Sequence, residues 1–134
     1  MNAADAFFDT NILLHLLSSD AAKADWAEVA LAIGGVISAQ VLSEFSAVAL
    51  RKLGMSLDEV REVIAPIRAV CRVEPLTEKT HDLGLQISER YGFSVYDSMI
   101  VAAALLAECS VLYSEDWQDG QVLDKRLTVK NPFR

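Results

Sequence analysis

The feature that most constrains this chain is its alternation of short apolar runs with helix-length segments. Ala6-Phe7-Phe8, Val36-Ile37-Ser38, residues 72–76, Val111-Leu112-Tyr113 and Leu127-Thr128-Val129 read as strands. Residues 9–18 read as a helix, with Asp9 or Thr10 near its cap and Ile12, Leu13, Leu16 and Leu17 on a broad apolar face. Ala21–Ile33 is a second helix, stopped by Gly34-Gly35, and residues 39–53 a third, closed by Gly54. Residues 56–70 open with Ser56 and Glu59 at capping-box spacing, and Pro66 is expected to bend or end that helix. Residues 77–91 are helical with Thr77 as cap and Gly92 as stop, and residues 94 or 95 to 108 form the most apolar helix. Strands separated by helices return to the sheet in the same direction, so the pattern predicts an α/β domain with a mainly parallel sheet.

Size and composition narrow the classes. A chain of 134 residues is one domain's worth, and 52% hydrophobic residues fill a core without disulfide or metal staples. Cys71 and Cys109 have no close-spaced partner that would mark a zinc site or a disulfide framework, so both read as buried thiols in a reducing compartment. Met1-Asn2-Ala3-Ala4-Asp5 carries no basic segment followed by a long apolar run, which argues against a secretory signal. The most apolar stretch, residues 99–107, falls far short of the ~20 residues that span a bilayer. A soluble, cytoplasmic protein with no membrane partner is expected. The formal charge of −7 leaves no dominant basic footprint for phosphate, although Arg51-Lys52, Lys125-Arg126, Lys130 and Arg134 are local exceptions.

The acids are distributed more tellingly than their number suggests. In a parallel sheet the strand C-terminal ends and the helix N-terminal ends share one edge, where ligands of open α/β sheets bind. Asp9 directly follows the first strand, and Asp116 lies three residues past Tyr113. Asp97 stands in the first turn of its helix, and Glu44 in the second turn of the helix after strand two, leaning back toward that helix's N-terminus. Asp119 is one turn beyond Asp116 if that segment is helical. Each has an ordinary explanation singly, as a helix cap, a dipole partner or a loop acid. Together they repel: two unit charges at ~4 Å cost about 4 kcal/mol at an effective dielectric of 20. A cation or a shifted protonation state must offset that, and an all-oxygen ligand set suits Mg²⁺ or Mn²⁺. A metal so held lowers the pKa of bound water and neutralises a phosphoryl oxygen.

Several segments, taken in order, carry a family resemblance. They are Phe8-Asp9-Thr10-Asn11-Ile12-Leu13, Leu42-Ser43-Glu44-Phe45, Tyr96-Asp97-Ser98-Met99-Ile100-Val101-Ala102-Ala103-Ala104, Leu112-Tyr113-Ser114-Glu115-Asp116, Asp119-Gly120 and Asn131-Pro132-Phe133. Over essentially the whole chain they resemble the PIN-domain family, and within it the VapC-type ribonuclease toxins of type II toxin–antitoxin pairs. The resemblance implies a three-layer α/β/α fold with an about five-stranded sheet. It implies a metal-dependent endoribonuclease whose acidic site is Asp9, Glu44, Asp97 and Asp116, with Asp119 a fifth metal-site candidate and Thr10, Asn11 and Ser114 supporting the acids. It further implies hydrolysis of RNA phosphodiester bonds by metal-activated water, leaving a 5′-phosphate. A homodimer held inactive by a cognate antitoxin protein is also implied, with an exposed apolar surface whose natural location is the helices of residues 21–53.

Other residues and functions compete. His15 lies among leucines and reads as a packed helix residue, while His81 sits in the polar start of a helix; metal-activated water needs neither. Trp26 and Trp117 could stack on bases, Trp117 being the better placed beside Asp116, yet packing is the commoner use. A phosphatase built on a strand-end Asp would want a second Asp two residues later, where this chain has Asn11. A non-catalytic PIN-like module that only binds RNA or protein would be marked by loss of an acid, and all four are present. A DNA-directed nuclease would need clamping elements for which 134 residues leave little room.

Overall fold

The computed structural model describes residues 5–133; the N-terminal reading at residues 1–4 and the basic Arg134 lie outside the described residues. In chain order the elements are β1 (Ala6–Phe8), α1 (Thr10–Leu14), a 3-10 turn (His15–Leu17), α2 (Ala21–Ile33), β2 (Gly35–Ser38), α3 (Ala39–Arg51), α4 (Leu57–Val70), β3 (Cys71–Glu74), α5 (Glu78–Tyr91), α6 (Val95–Leu106), β4 (Val111–Tyr113), β5 (Val122–Leu123) and β6 (Leu127–Lys130). The strands form one sheet in the order β3-β2-β1-β4-β6-β5. Every pairing is parallel except β5 with β6.

Local chemistry explains where the helices begin. The Asp20 side chain caps α2 by accepting the N–H groups of Ala22 and Lys23 at 3.1 and 3.3 Å. Ser56 and Glu59 complete the expected capping box on α4, at 3.1 Å in one direction and 2.9 Å in the other. The Ser94 hydroxyl accepts the Asp97 N–H at 3.1 Å and starts α6.

Strand order then fixes the site. From β1 the chain moves outward through β2 to β3, and crosses back through α5 and α6 to β4 on the other flank of β1. With right-handed crossovers, that reversal places α1–α4 over one face and α5–α6 over the other. The helices pack accordingly, α1 with α3, α2 with α4, and α5 with α6. β1 and β4 are thus the neighbours at which the winding reverses, and the crevice above their C-terminal ends is the binding edge of such sheets. Register brings Phe8 opposite Tyr113, so Asp9 and Ser114 emerge side by side.

The core fills both faces. Phe7, Ile37, Leu112 and Val129 of the sheet are fully buried, as is Phe45 of α3. Every residue of α6 from Ser98 to Leu105 is buried, which is why its sequence reads as continuously apolar. α5 lies close on α6 because Gly84 has no side chain; a Cβ there would stand 2.8 Å from Met99 Cγ. Cys71 and Cys109 are both buried. Among the described residues no helix is long and apolar enough to cross a membrane.

The expected, mainly parallel sheet of about five strands is present, the sixth strand being the two-residue antiparallel β5. Three expectations need correction. Residues 9–18 are not one helix: α1 ends at Leu14 and tightens into the 3-10 turn. The segment after β4 is not helical, so Asp119 does not stand one turn above Asp116. Pro66 does not end α4, which runs four residues further. The proline removes the bond its N–H would have given to Glu62, but both residues are exposed, so water replaces that donor. The buried anchors Val60 and Ile67 hold the helix on either side.

Candidate active site

Asp9 is the centre of the site. It is only 5% exposed, and its two oxygens face different partners. Oδ1 accepts the Thr10 N–H at 2.7 Å, where the side chain caps α1, and Oδ2 accepts the Ser114 hydroxyl at 2.7 Å. Ser114 is fully buried, and its Oγ also accepts the Asp116 N–H at 3.0 Å. One hydroxyl therefore ties the acid after β1 to the loop after β4. Asn11 reinforces the joint: its Nδ2 lies 3.5 Å from both Asp9 Oδ2 and Ser114 Oγ, and its Oδ1 accepts the Glu115 N–H at 3.4 Å.

Glu44 reaches the same place from α3. Its Oε1 accepts the Thr10 hydroxyl at 2.7 Å and its Oε2 accepts Gln40 Nε2 at 3.2 Å. Asp97, in the first turn of α6, is half-buried, and Asp116 is exposed. Burial pushes the Asp9 carboxyl from 3.8 to about 7 against the hydrogen bonds from Ser114 and Thr10, with the charges of Asp116 and Glu44 adding to the rise. Burial likewise raises Asp97, against its hydrogen bond with Ser94, and the same two charges act on it. Asp116 and Glu44 each bear electrostatically on both Asp9 and Asp97, so these four acids share one field.

None of the four is paired with a lysine, arginine or histidine; the ion pairs of the described residues lie elsewhere. A carboxyl held near neutral pH by burial and like charges marks negative charge without a partner, which a proton or a cation would supply. The donors are all hard oxygens, and in that respect the set fits Mg²⁺ or Mn²⁺. Among the described residues no three acidic, histidine or cysteine side chains stand together as a group that could already hold a metal ion.

The remaining sequence candidates divide. Asp119 is exposed, and its Oδ1 accepts the Asn131 N–H at 2.8 Å, fastening the loop before β5 to the end of β6. His81 is exposed beside Asp82. Trp26 meets Tyr113 and Phe133 edge to face, and Trp117 stacks on Phe93 with ring centres 5.7 Å apart. His15 does more than pack: its Nε2 contacts Glu115 Oε1, and Lys23 Nζ approaches Glu115 Oε2 at 3.4 Å. Burial would raise the Glu115 carboxyl, but the hydrogen bonds and charges of His15 and Lys23 outweigh it and hold it below the ordinary value. Glu115 is thus a compensated acid beside an uncompensated one.

Sequence reading missed this anchor and Gln40. The only signal for Gln40 was a polar residue four positions before Glu44 in an apolar helix. An open groove of about 470 Å³ lies between the 3-10 turn, α2 and α4, lined by Leu16, Leu17, Leu31, Val63, Ile67 and Val70. α4, outside residues 21–53, supplies one wall of it.

Comparison with known proteins agrees with this architecture. The sequence pattern of the PIN domain family matches residues 6–121. A search of curated proteins finds no match. Among solved structures, the chain is similar to a toxin–antitoxin complex from Klebsiella pneumoniae, with 22% identity and a TM-score of 0.70 over 95% of this chain and 97% of that one. It is similar to VapC20 of Mycobacterium tuberculosis, described as a sarcin–ricin-loop-cleaving toxin, with 21% identity and a TM-score of 0.64 over 83% and 89%. FitAcB from Neisseria gonorrhoeae gives 18% identity and a TM-score of 0.71 over 96% and 98%. At such identities the structural likeness speaks for the fold. With 116 of its residues matched by the family pattern, counted from 6 to 121, the chain belongs to the PIN domain family.

Proposed function

We propose that this protein is a metal-dependent endoribonuclease and the toxin of a toxin–antitoxin pair. The observation that carries the reading is the set of four acids at the point where the sheet's winding reverses, sharing one field with no cationic side chain among them.

In this reading Asp9, Asp97, Asp116 and Glu44 would hold Mg²⁺ or Mn²⁺, with Asp119 a fifth member through the carboxylate oxygen that does not accept the Asn131 N–H. A divalent cation there supplies water of lowered pKa and offsets charge on the phosphoryl group. The chain's own residues supply the geometry. Ser114 and the Thr10 N–H favour the ionised form of Asp9, the Thr10 hydroxyl and Gln40 fix Glu44, and Asn11 locks the loop carrying Asp116 to α1. Water attacking phosphorus in line with the scissile RNA phosphodiester would break the P–O3′ bond, leaving a 5′-phosphate on the downstream fragment and, once the departing oxygen takes up a proton, a 3′-hydroxyl on the upstream one.

The solved toxin–antitoxin complex from Klebsiella pneumoniae that shares this fold supports a cognate antitoxin as partner, and the open apolar groove between α2 and α4 offers such a partner surface to cover. We further infer a homodimer acting in the cytoplasm. The test is expression without an antitoxin in a bacterial host. Wild type should arrest growth with RNA cleavage, and Asp9→Ala should do neither; equal growth of the two strains would remove the toxin assignment.

A further inference from the structure

Gln40 occupies a place that packing alone does not explain. It lies in the first turn of α3, is only 7% exposed, and sits where an apolar residue would fill the core more cheaply. Its amide nitrogen has both hydrogens engaged: one donates to Glu44 Oε2 at 3.2 Å, the other to the carbonyl oxygen of Tyr96 at 2.9 Å. Both partners are acceptors, so the amide cannot be reversed without setting oxygen against oxygen. The same constraint strands the other end. Gln40 Oε1 is buried and has no hydrogen-bond partner among the described residues. Buried polar atoms without partners are rare in folded proteins, because each forfeits its hydration.

The two bonds join different parts of the acid set. Glu44 belongs to α3, over one face of the sheet, and Tyr96 directly precedes Asp97 in α6, over the other. Among the described residues no hydrogen bond runs directly from the Glu44 side chain to α6. We infer that Gln40 is a positioning residue: it bridges the two helical layers so that Glu44 and Asp97 keep a fixed separation, at the expense of its own unpaired oxygen. This assignment rests on the reading of the acids as a divalent-cation site.

The test uses Gln40→Met, which keeps the side chain's length and removes both donors and the stranded oxygen, with Gln40→Leu as a second apolar variant. Mn²⁺ binding is measured by calorimetric titration, and the melting temperature in EDTA is measured separately. A positioning residue acting on ligands typically contributes about 10–100-fold in metal affinity. Mn²⁺ binding should therefore weaken by about tenfold or more in both variants. The metal-free melting temperature should stay level or rise, since a buried unpaired oxygen is removed. In a Glu44→Ala background, where the bridge has lost one end, Gln40→Met should alter the Mn²⁺ affinity by less than about twofold, the non-additivity expected of a direct contact.

A fall in melting temperature that parallels the loss of Mn²⁺ affinity would make Gln40 a core residue and overturn the inference. Unchanged Mn²⁺ affinity in both apolar variants, with wild type binding normally, would overturn it while leaving the metal-site reading intact. Failure of wild type itself to bind Mn²⁺ would overturn the reading and the inference together.

Discussion

The Ser114 hydroxyl reaches Asp9 Oδ2 at 2.7 Å across 105 positions of sequence, and in the same place accepts the N–H of Asp116. One buried side chain thereby sets the distance between the ends of the two central strands. Ser114→Ala removes a donor to a buried carboxylate and leaves the Asp116 N–H without its acceptor. Each such loss costs about 1–3 kcal/mol. Denaturant unfolding at pH 8 should show destabilisation in that range, and metal-dependent cleavage should fall by about 10–100-fold. Unchanged stability and cleavage would mean that the two strand ends are held by something else.

The Asp9 carboxyl gives a pH signature. Its value is raised from 3.8 to about 7, so between those limits the folded state holds a proton that the unfolded state releases. The fold therefore loses stability from this group as pH climbs from about 4 to 7, and carries the full penalty above that. Asp9→Asn removes the penalty. Without divalent ions it should raise the melting temperature at pH 8 and leave it nearly unchanged at pH 4. Wild-type affinity for Mn²⁺ should increase as pH passes through about 7, because the metal must displace the proton. A variant equally destabilised at both pH values would contradict the assignment.

Divalent ions should stabilise the protein. A ligand at 100 times its Kd adds about 2.7 kcal/mol to the folded state, enough for a shift of several degrees. Thermal melts with Mg²⁺ or Mn²⁺ should show that shift, and Asp97→Asn should shrink it. An equal shift in wild type and variant would exclude Asp97 as a ligand.

Glu115 should behave differently from its neighbour Asp116. With His15 and Lys23 compensating it, Glu115→Ala loosens the loop after β4 and strands His15, which is largely buried. Cleavage should drop about tenfold or more through misplacement of Asp116, as for other groups that orient ligands. Lys23→Ala should cost less, since its side chain is 35% exposed and such pairs contribute about 1 kcal/mol at most. Kinetics of the three single variants, with the His15→Ala and Glu115→Ala double variant, check this; additive losses would show that the pair does not act as a unit.

What the sequence made legible follows from how far each signal travels. The limits of α2 and β4 are legible residue for residue, because the Gly34 stop and a short apolar run are local features. β5 was invisible for the opposite reason. It has two residues, and the turn to β6 takes positive φ at Asp124 and Lys125, +51° and +63°, where a glycine or asparagine would have announced a hairpin. Parallel topology is enough to expect Asp9, Glu44, Asp97 and Asp116 at one edge. It did not show Asp119 turning to the Asn131 N–H, nor Gln40 reaching 56 positions to Tyr96, since both depend on long-range placement of single side chains. His15 looked like a packed helix residue because its leucine neighbours dominate the local pattern; its partner is 100 positions away.

We propose that uncompensated acids at the reversal point of the sheet make this chain a metal-dependent ribonuclease. Purified protein incubated with total cellular RNA, in Mn²⁺ or Mg²⁺ and then in EDTA, beside an Asp9→Asn control, tests it most directly once the new 5′ ends are mapped. Discrete cuts bearing 5′-phosphates, abolished by EDTA and by the substitution, are the expected result. Cuts that survive in Asp9→Asn or in EDTA, or no cuts from folded protein that binds Mn²⁺, would contradict it.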